Sequence, residues 1–204
     1  MGNAEYHHKN LKDALIENGL KLFDEVGYDK FSLRKVAKAC GVSEAAPYRH
    51  FANKDSLLIA IISQAYEKFD EALKKAVSEY PDDADSQLRE MAYLYVKFFI
   101  ENPEYMKFLF FSDVSKRIEM TEGSFKLSGN MVKPYQTFIH AMEKYKRQSD
   151  EKDLQNNANI NAMILACWGL AHGIAVLLTQ NEFHYDGDCL ELVKNILWSD
   201  LFIK

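Results

Sequence analysis

The sequence is poor in glycine, proline and cysteine, and each shortage excludes a class of protein. Nine glycines and four prolines in 204 residues are about half the usual share, which excludes collagen-like and Pro/Gly-rich disordered chains. The three cysteines, Cys40, Cys167 and Cys189, lie far apart and form no Cys-x-x-Cys pair. Neither a disulfide framework nor a zinc site is therefore expected, and reduced thiols favour a cytoplasmic location.

Few turn-forming residues indicate few, long secondary-structure elements. Valine and threonine are scarce beside leucine and alanine, and this ratio favours helix over strand. Hydrophobic residues make up 48% of the chain and charged residues 27%, as in ordinary globular proteins. We expect an all-α protein of about nine helices.

Two short helices separated by a tight turn are predicted near the N-terminus, after a first helix from about Lys9 to Val26 that Gly27 ends. Ser32 is placed to cap a short helix, and Gly41 to end it in the left-handed conformation. Ser43 then caps a second helix, residues 44–50. The fourth position of that helix is Pro47, which predicts a distorted or late-starting helix. This pattern is typical of a helix-turn-helix motif.

The same segment carries a basic patch in an otherwise acidic chain. The formal net charge is −5, which by itself weighs against nucleic acid as a partner. From residue 30 to residue 54, however, Glu44 is the only acid, and the basic residues are Lys30, Arg34, Lys35, Lys38, Arg49 and Lys54. A basic helix-turn-helix predicts binding to the phosphates of duplex DNA.

The second helix of the motif is expected to enter the major groove with its N-terminal residues facing the bases. Glu44 can accept a hydrogen bond from cytosine, and the methyl groups of Ala45 and Ala46 can touch thymine. Arg49 suits guanine or phosphate. The full predicted DNA-binding set is Ser32, Arg34, Ser43, Glu44, Ala45, Ala46, Tyr48, Arg49, His50 and Lys54. A monomer with so small a contact surface would bind weakly, so we expect a two-fold dimer with half-sites about 34 Å apart, or a multiple of one turn of DNA.

The segments from Phe31 to Ser43 and from Pro47 to Leu58 closely resemble the DNA-binding region of the tetracycline-repressor (TetR) family of bacterial regulators. The resemblance implies a DNA-binding domain over residues 1–55 and a helical ligand-binding and dimerisation domain over residues 56–204. It also implies phosphate contacts by Tyr48, His50 and Lys54. The sequence departs from many members at Ala46-Pro47, and the operator sequence is not implied.

One C-terminal segment is apolar on every side. Between Ala162 and Leu178 no Asp, Glu, Lys or Arg occurs. The stretch is short for a membrane span and has no basic flanks to orient it, so we expect a helix buried inside the protein or at a subunit interface, with no membrane. Trp168, His172 and Gly173 in this stretch resemble the Trp-His-Gly type of TetR C-terminal domain. The family architecture implies a homodimer through the last two long helices, about residues 158–179 and 187–202.

A soft, aromatic set of side chains suits a pocket for a small apolar or aromatic effector, although most of these residues also suit an ordinary core. The predicted pocket residues are Phe98, Phe99, Met106, Phe110, Tyr135, Phe138, Met142, Met163, Trp168 and His172. His172 is a polar group of that pocket, a pH-sensitive group of an interface, or a core histidine with one hydrogen bond, and the last is favoured.

The expected function is that of a ligand-responsive transcriptional regulator, a repressor released from a palindromic DNA operator by its effector. One alternative is a helical DNA-binding regulator without a small-molecule ligand, and another is a helical lipophile carrier or enzyme. No catalytic, phosphate-loop or dinucleotide motif is found, and the histidine pairs lack the partners of a metal site. We therefore expect no enzyme activity, no metal and no cofactor.

Overall fold

The structure is a computed structural model that describes residues 2–112, 114, 128–152, 159–180 and 182–199. Every regular element in this part of the chain is helical, which confirms the all-α prediction with about nine helices. A 3-10 turn, Pro47–Arg49, separates α2 from α3, and a π-helical turn, Lys107–Phe111, continues α5. The α-helices are α1 (Gly2–Lys30), α2 (Leu33–Ala39), α3 (Lys54–Glu79), α4 (Ala84–Glu101), α5 (Pro103–Met106), α6 (Ser128–Lys152), α7 (Ile160–Thr179) and α8 (Cys189–Leu197).

Short polar side chains begin several of these helices. Ser32 Oγ accepts a hydrogen bond from the Lys35 N–H at 3.3 Å, and Asn53 Oδ1 accepts one from the Ser56 N–H at 2.8 Å. Each bond satisfies a backbone donor that the first turn of a helix leaves without a partner. The same kind of cap starts α4, α7 and α8 at Asp83, Asn159 and Asp188.

The described chain divides into two compact units. The first contains the described residues within Met1–Ala65 and Glu104–Leu127, and the second those within Tyr66–Pro103 and Ser128–Lys204. The division between residues 65 and 66 falls inside α3. This helix therefore contributes its first half to one unit and its second half to the other.

The core of the first unit is formed by one face each of α1, α2 and the start of α3. Gly19 marks the closest approach of α1 to α3, since a Cβ atom there would lie 3.1 Å from Ile61 Cδ1. Phe23 packs edge-to-face on Phe108, with ring centroids 4.9 Å apart. The buried side chains include Leu15, Ile16, Leu20, Phe31, Leu33, Val36, Ala37, Leu57 and Leu58.

The second unit is centred on α4, which packs against α6, α7 and α8. Phe69 from α3 inserts among aromatic rings of α4, with ring centroids 5.1–5.2 Å from those of Tyr95, Phe98 and Phe99. Such tilted and edge-to-face pairs stabilise a core beyond the area they bury. The aromatic residues of α3 and α4 therefore form the packed centre of this unit.

Two polar ties cross the second unit. The Thr137 hydroxyl of α6 donates to Asp70 Oδ1 of α3 at 2.6 Å, and Asp70 is buried. Arg89 Nη1 of α4 donates to the Leu197 carbonyl at 2.7 Å and to the Ser199 carbonyl at 3.1 Å. Arg89 thereby satisfies carbonyls that the C-terminal end of α8 leaves without helical partners.

Several helix boundaries differ from the predicted ones. Helix α1 begins at Gly2 rather than about Lys9, although Gly27 (φ 68°, ψ 177°) interrupts it as predicted. A proline inside a helical pattern predicts a delayed start or a kink, but α6 begins at Ser128 and contains Pro134. The polar run from residue 148 to residue 157 predicts a helix end near Arg147, whereas α6 runs to Lys152. Glycines and serines predict a loop or a poorly formed helix for residues 112–129, which lie mostly outside the described residues.

Helix α7 is the apolar segment singled out in the sequence. By length and composition it could cross a membrane, and little of it is buried within this chain. The fully buried residues of this helix are Ala171 and Ala175, whereas Leu165 is 75% exposed. The prediction that α7 is buried inside its own chain is therefore wrong for most of the helix. The alternative, a subunit interface, stays a prediction.

Candidate nucleic-acid interface

A rigid scaffold holds the helix-turn-helix segment. Leu33, Val36 and Ala37 are buried on one face of α2, and α2 packs against α1. The opposite face carries Arg34, Lys35 and Lys38, all exposed. Because apolar residues recur at helical spacing, burying one face of α2 presents its cations to solvent.

The turn after α2 depends on Gly41. Its φ of +68° lies in the left-handed region, which residues with a Cβ atom adopt at a cost. The Gly41 N–H donates to the Lys38 carbonyl and the Val42 N–H to the Ala37 carbonyl, at 3.1 and 3.0 Å. These bonds close the C-terminal end of α2, as predicted, and turn the chain toward the next segment.

The segment predicted to read the bases, residues 43–50, is not a regular α-helix. Pro47 has no N–H to donate to the Ser43 carbonyl, which instead accepts a hydrogen bond from the Ala46 N–H at 2.9 Å. A 3-10 turn, Pro47–Arg49, follows. The predicted distortion at Pro47 is confirmed. The predicted cap is wrong, because Ala46 occupies the N-cap position and makes no side-chain cap bond, while Ser43 contributes its carbonyl.

Most of the predicted DNA-binding side chains lie open to solvent. Tyr48 is 52% exposed although it is a large aromatic residue. The exposed members of the set are Arg34, Ser43, Glu44, Ala45, Tyr48 and Arg49, and the part-buried members are Ser32, Ala46, His50 and Lys54.

An ion pair joins the two helical parts of the motif. Arg34 Nε lies 3.5 Å from Glu44 Oε2, and both side chains are 73% exposed. Arg34 is the second residue of α2, and Glu44 precedes the 3-10 turn. The sequence predicts separate DNA contacts for these two residues, whereas the structure brings their side chains together.

Lys54 is tied to the end of α1 by contacts that the sequence analysis missed. Its Nζ donates to the Tyr28 carbonyl at 3.2 Å and lies 3.8 Å from the centroid of the Tyr28 ring. The Tyr28 hydroxyl donates to Asp55 Oδ1 at 2.9 Å, and Asp55 is buried. These three residues fix the start of α3 against the chain that follows Gly27. The only signal for Tyr28 in the sequence was its position after a glycine stop.

The predicted pocket residues divide between the two units. Met106 and Phe110 belong to the first unit, and the other eight belong to the second. Phe98, Phe99 and Met142 are buried, and Trp168 packs on Tyr135 and Phe138 with ring centroids 5.4 and 6.1 Å apart. Trp168, Tyr135 and Phe138 thus form an aromatic cluster, whereas Phe98 and Phe99 contact each other. Tyr135 and Phe110 are exposed.

A polar pair lies beside these aromatic residues. The Tyr95 hydroxyl and His172 Nδ1 are 2.8 Å apart, and the sequence analysis missed Tyr95 because 77 residues separate the two. Burial raises the pKa of Tyr95 above its ordinary value of 10.0 and lowers the pKa of His172 below its ordinary value of 6.5. Burial disfavours the charged form of both side chains, so the pair is a neutral hydrogen bond at neutral pH.

The N-terminal segment is similar to known bacterial regulators. Residues 15–61 match the family described as bacterial regulatory proteins, tetR family. The helix-turn-helix segment, residues 32–50, lies within this match. The chain is 37% identical over 60 residues to YuxN, an uncharacterised HTH-type transcriptional regulator of Bacillus subtilis, covering 29% of this chain and 21% of YuxN. It is 31% identical over 65 residues to an HTH-type transcriptional repressor of Mycobacterium tuberculosis, covering 32% of this chain and 35% of that protein.

The chain thus spans about a fifth to a third of the length of these relatives, but the fold is shared over a longer range. A solved TetR family transcription regulator of Marinobacter aquaeolei superposes with a TM-score of 0.68, covering 95% of this chain and 96% of that one at 16% identity. At this identity the likeness shows the fold, and the helical fold of this chain is that of tetR-family regulators.

Proposed function

We propose that this protein is a transcriptional regulator that binds duplex DNA through its tetR-type helix-turn-helix domain. The observation that carries the proposal is the exposed surface formed by the cations of α2 and by Ser43, Glu44, Ala45, Tyr48 and Arg49. Cations there displace the counterions condensed on DNA, and the exposed reading segment fits the major groove. The rest of the chain is acidic and should repel DNA, so this surface is the one that can bind it.

The proposed DNA contacts divide into two kinds. Glu44, Ala45 and Ala46 face base edges, with Arg49 placed for guanine or phosphate. The remaining contacts position the domain on phosphates and come from Ser32, Arg34, Ser43, Tyr48, His50 and Lys54. For Lys54 this requires its ammonium group to serve both Tyr28 and a phosphate, which three N–H donors allow.

The proposed assembly is a homodimer formed by α7 and α8. The exposed apolar face of α7 supports it, since such a surface is costly in water unless a partner covers it. Gly169 and Gly173 also support it, because a Cβ atom built on either would meet nothing within 4 Å. That space lets a second helix approach closely. A two-fold dimer would place its two reading segments about 34 Å apart, one turn of DNA, or at a multiple of that distance.

The proposed effector is a small apolar or aromatic molecule held by the second unit. The aromatic cluster around Trp168 supports this class, and the Tyr95–His172 pair supplies a polar group that can orient a ligand. Trp168, His172 and Gly173 support a C-terminal domain of the Trp-His-Gly type. An effector that binds the DNA-free form more tightly would release the operator by that difference in affinity alone.

A second candidate function has a specific observation in its favour. Phe69, Phe98 and Phe99 are buried and in ring contact with one another, as in a domain that serves dimerisation alone. In that case the protein regulates transcription without a small-molecule ligand. Thermal unfolding with a set of apolar and aromatic compounds separates the two candidates. Saturable stabilisation by one compound favours an effector site, and no stabilisation across the set favours the second candidate.

The proposed regulator is a cytoplasmic repressor without enzyme activity, in line with the mycobacterial relative that is described as a repressor. Its DNA targets can be recovered directly. The purified full-length chain is mixed with sheared genomic DNA of its own source, and the bound fragments are sequenced. The proposal predicts enriched fragments that share a palindromic motif. Recovery of fragments without any shared motif would contradict sequence-specific regulation.

A further inference from the structure

Glu44 is out of character with its surroundings. It is the only acid between residues 30 and 54, it is 73% exposed, and it stands just ahead of the 3-10 turn in the segment that reads DNA. A carboxylate at a surface that approaches phosphates weakens binding to every DNA sequence equally. An affinity cost of this kind is useful only where the carboxylate also distinguishes one base from another.

The contact with Arg34 shows how this cost is reduced. The guanidinium Nε lies 3.5 Å from Glu44 Oε2, and both groups are largely exposed. Exposed ion pairs of this kind add little to folding stability. The pair does, however, keep a cation beside the carboxylate as the domain approaches DNA, and it restricts the direction in which the carboxylate can point.

A carboxylate accepts hydrogen bonds and donates none, and this fixes which base edge it can face. In the major groove guanine presents two acceptors, thymine an acceptor and a methyl group, and adenine an acceptor beside its amino group. Each of these places an acceptor near the carboxylate. Cytosine presents only the N4 amino donor. Cytosine is therefore the base that a carboxylate held in this groove prefers.

We propose that Glu44 selects cytosine at one position of each operator half-site, and that Arg34 is the positioning residue that holds and neutralises its carboxylate. This inference rests on the proposed DNA-binding function. It adds to the cytosine expected for Glu44 a positioning partner, Arg34, which the sequence pattern does not supply.

The test is selection from a library of randomised duplexes by the full-length protein, followed by affinity measurements on the selected sites. The wild type is expected to prefer cytosine by at least about fivefold at one symmetric pair of positions, the lower end for a base contact because this contact is monodentate. Glu44→Gln is expected to move that preference to adenine, which pairs with a side-chain amide. Glu44→Ala is expected to abolish it and to raise the affinity for unrelated DNA.

A matched pair of charge removals tests the role of Arg34. Arg34→Gln is expected to lower the cytosine preference as well as the overall affinity. Lys38→Gln removes one exposed cation from the same helix and is expected to lower affinity for all sequences while the preference stays. Rescue of the preference by Arg34→Lys, which restores the charge, supports a positioning role.

Two results would overturn the inference, and only one of them would also overturn the proposed DNA-binding function. A wild type that selects a motif whose base preferences are the same in both Glu44 variants overturns the inference alone and leaves the DNA-binding function in place. A wild type that enriches no duplex sequence overturns the inference together with the proposed function.

Discussion

Truncation of Leu165 on α7 tests the proposed dimer with a magnitude that follows from the structure. This side chain is 75% exposed, so a second copy of the chain would bury about three quarters of it. Complete burial of a leucine side chain is worth about 2 kcal/mol. Leu165→Ala therefore costs about 1.5 kcal/mol per protomer and about 3 kcal/mol per two-fold dimer, because both copies contribute the residue. Dimer dissociation should rise about 150-fold.

Sedimentation equilibrium over a range of protein concentrations measures this change. Val77→Ala is the control, since Val77 is an exposed apolar residue of α3 outside the proposed interface, and it should leave dimerisation unchanged. The urea-unfolding behaviour of dilute Leu165→Ala monomer should match that of the wild type, because the residue is exposed in the monomer. A Leu165→Ala protein that dimerises as tightly as the wild type would refute the interface. A monomeric wild type that sediments with lipid vesicles would do the same.

Three further predictions concern particular side chains. Because burial lowers the pKa of His172 below 6.5, its contribution to the free energy of unfolding is complete above pH 6.5 and falls as the pH drops toward the lowered pKa. In urea unfolding at pH 7.5 and 5.5, His172→Gln should lose less stability than the wild type, and an equal loss would contradict this. Gly41→Ala should cost about 1 kcal/mol in urea unfolding through its positive φ alone, since its Cβ meets nothing within 4 Å; a stabilised variant would show that the turn has another conformation. Burial raises the pKa of Cys167 to about 11, so about one thiol in a thousand is ionised at pH 8, and iodoacetamide should label it far more slowly than a model thiol peptide, whereas labelling at the peptide's rate would contradict its burial.

The starts and stops of helices could be predicted because they depend on local chemistry. Ser32 and Asn53 have side-chain oxygens directly before helical runs, and they cap those helices in the structure. Gly27 and Gly41 both adopt positive φ at the ends of predicted helices. In each case the residue type alone permits the backbone conformation or supplies the missing acceptor.

The reading segment was predicted in part. The missing N–H of Pro47 was visible in the sequence, and so was the resulting break in helical hydrogen bonding. The form of the break was not visible, because a kink, a late start and a 3-10 turn all avoid the same missing donor. Which of them forms depends on how Pro47 and Phe51, both buried, pack beneath the segment.

The contacts that position the candidate site could not be predicted, because they join distant parts of the chain. Tyr28 and Asp55 are 27 residues apart, and Tyr95 and His172 are 77 apart. No periodic pattern links such residues, and only the packing of helices brings them together. The exposure of α7 could not be predicted from periodicity either. A helix that is apolar on all sides has no polar face to show which side its own chain leaves uncovered.

Duplex DNA binding as a function of salt tests the central claim most directly. The full-length protein is titrated onto its selected duplex between 50 and 200 mM salt, and the logarithm of the affinity is plotted against the logarithm of the salt concentration. We expect a steep negative slope whose magnitude falls by about 2 in Lys54→Gln, one proposed phosphate contact per protomer, and is unchanged in Lys75→Gln, which removes an exposed cation of the second unit. Absence of duplex binding, or a slope that Lys54→Gln and Lys75→Gln alter equally, would contradict it.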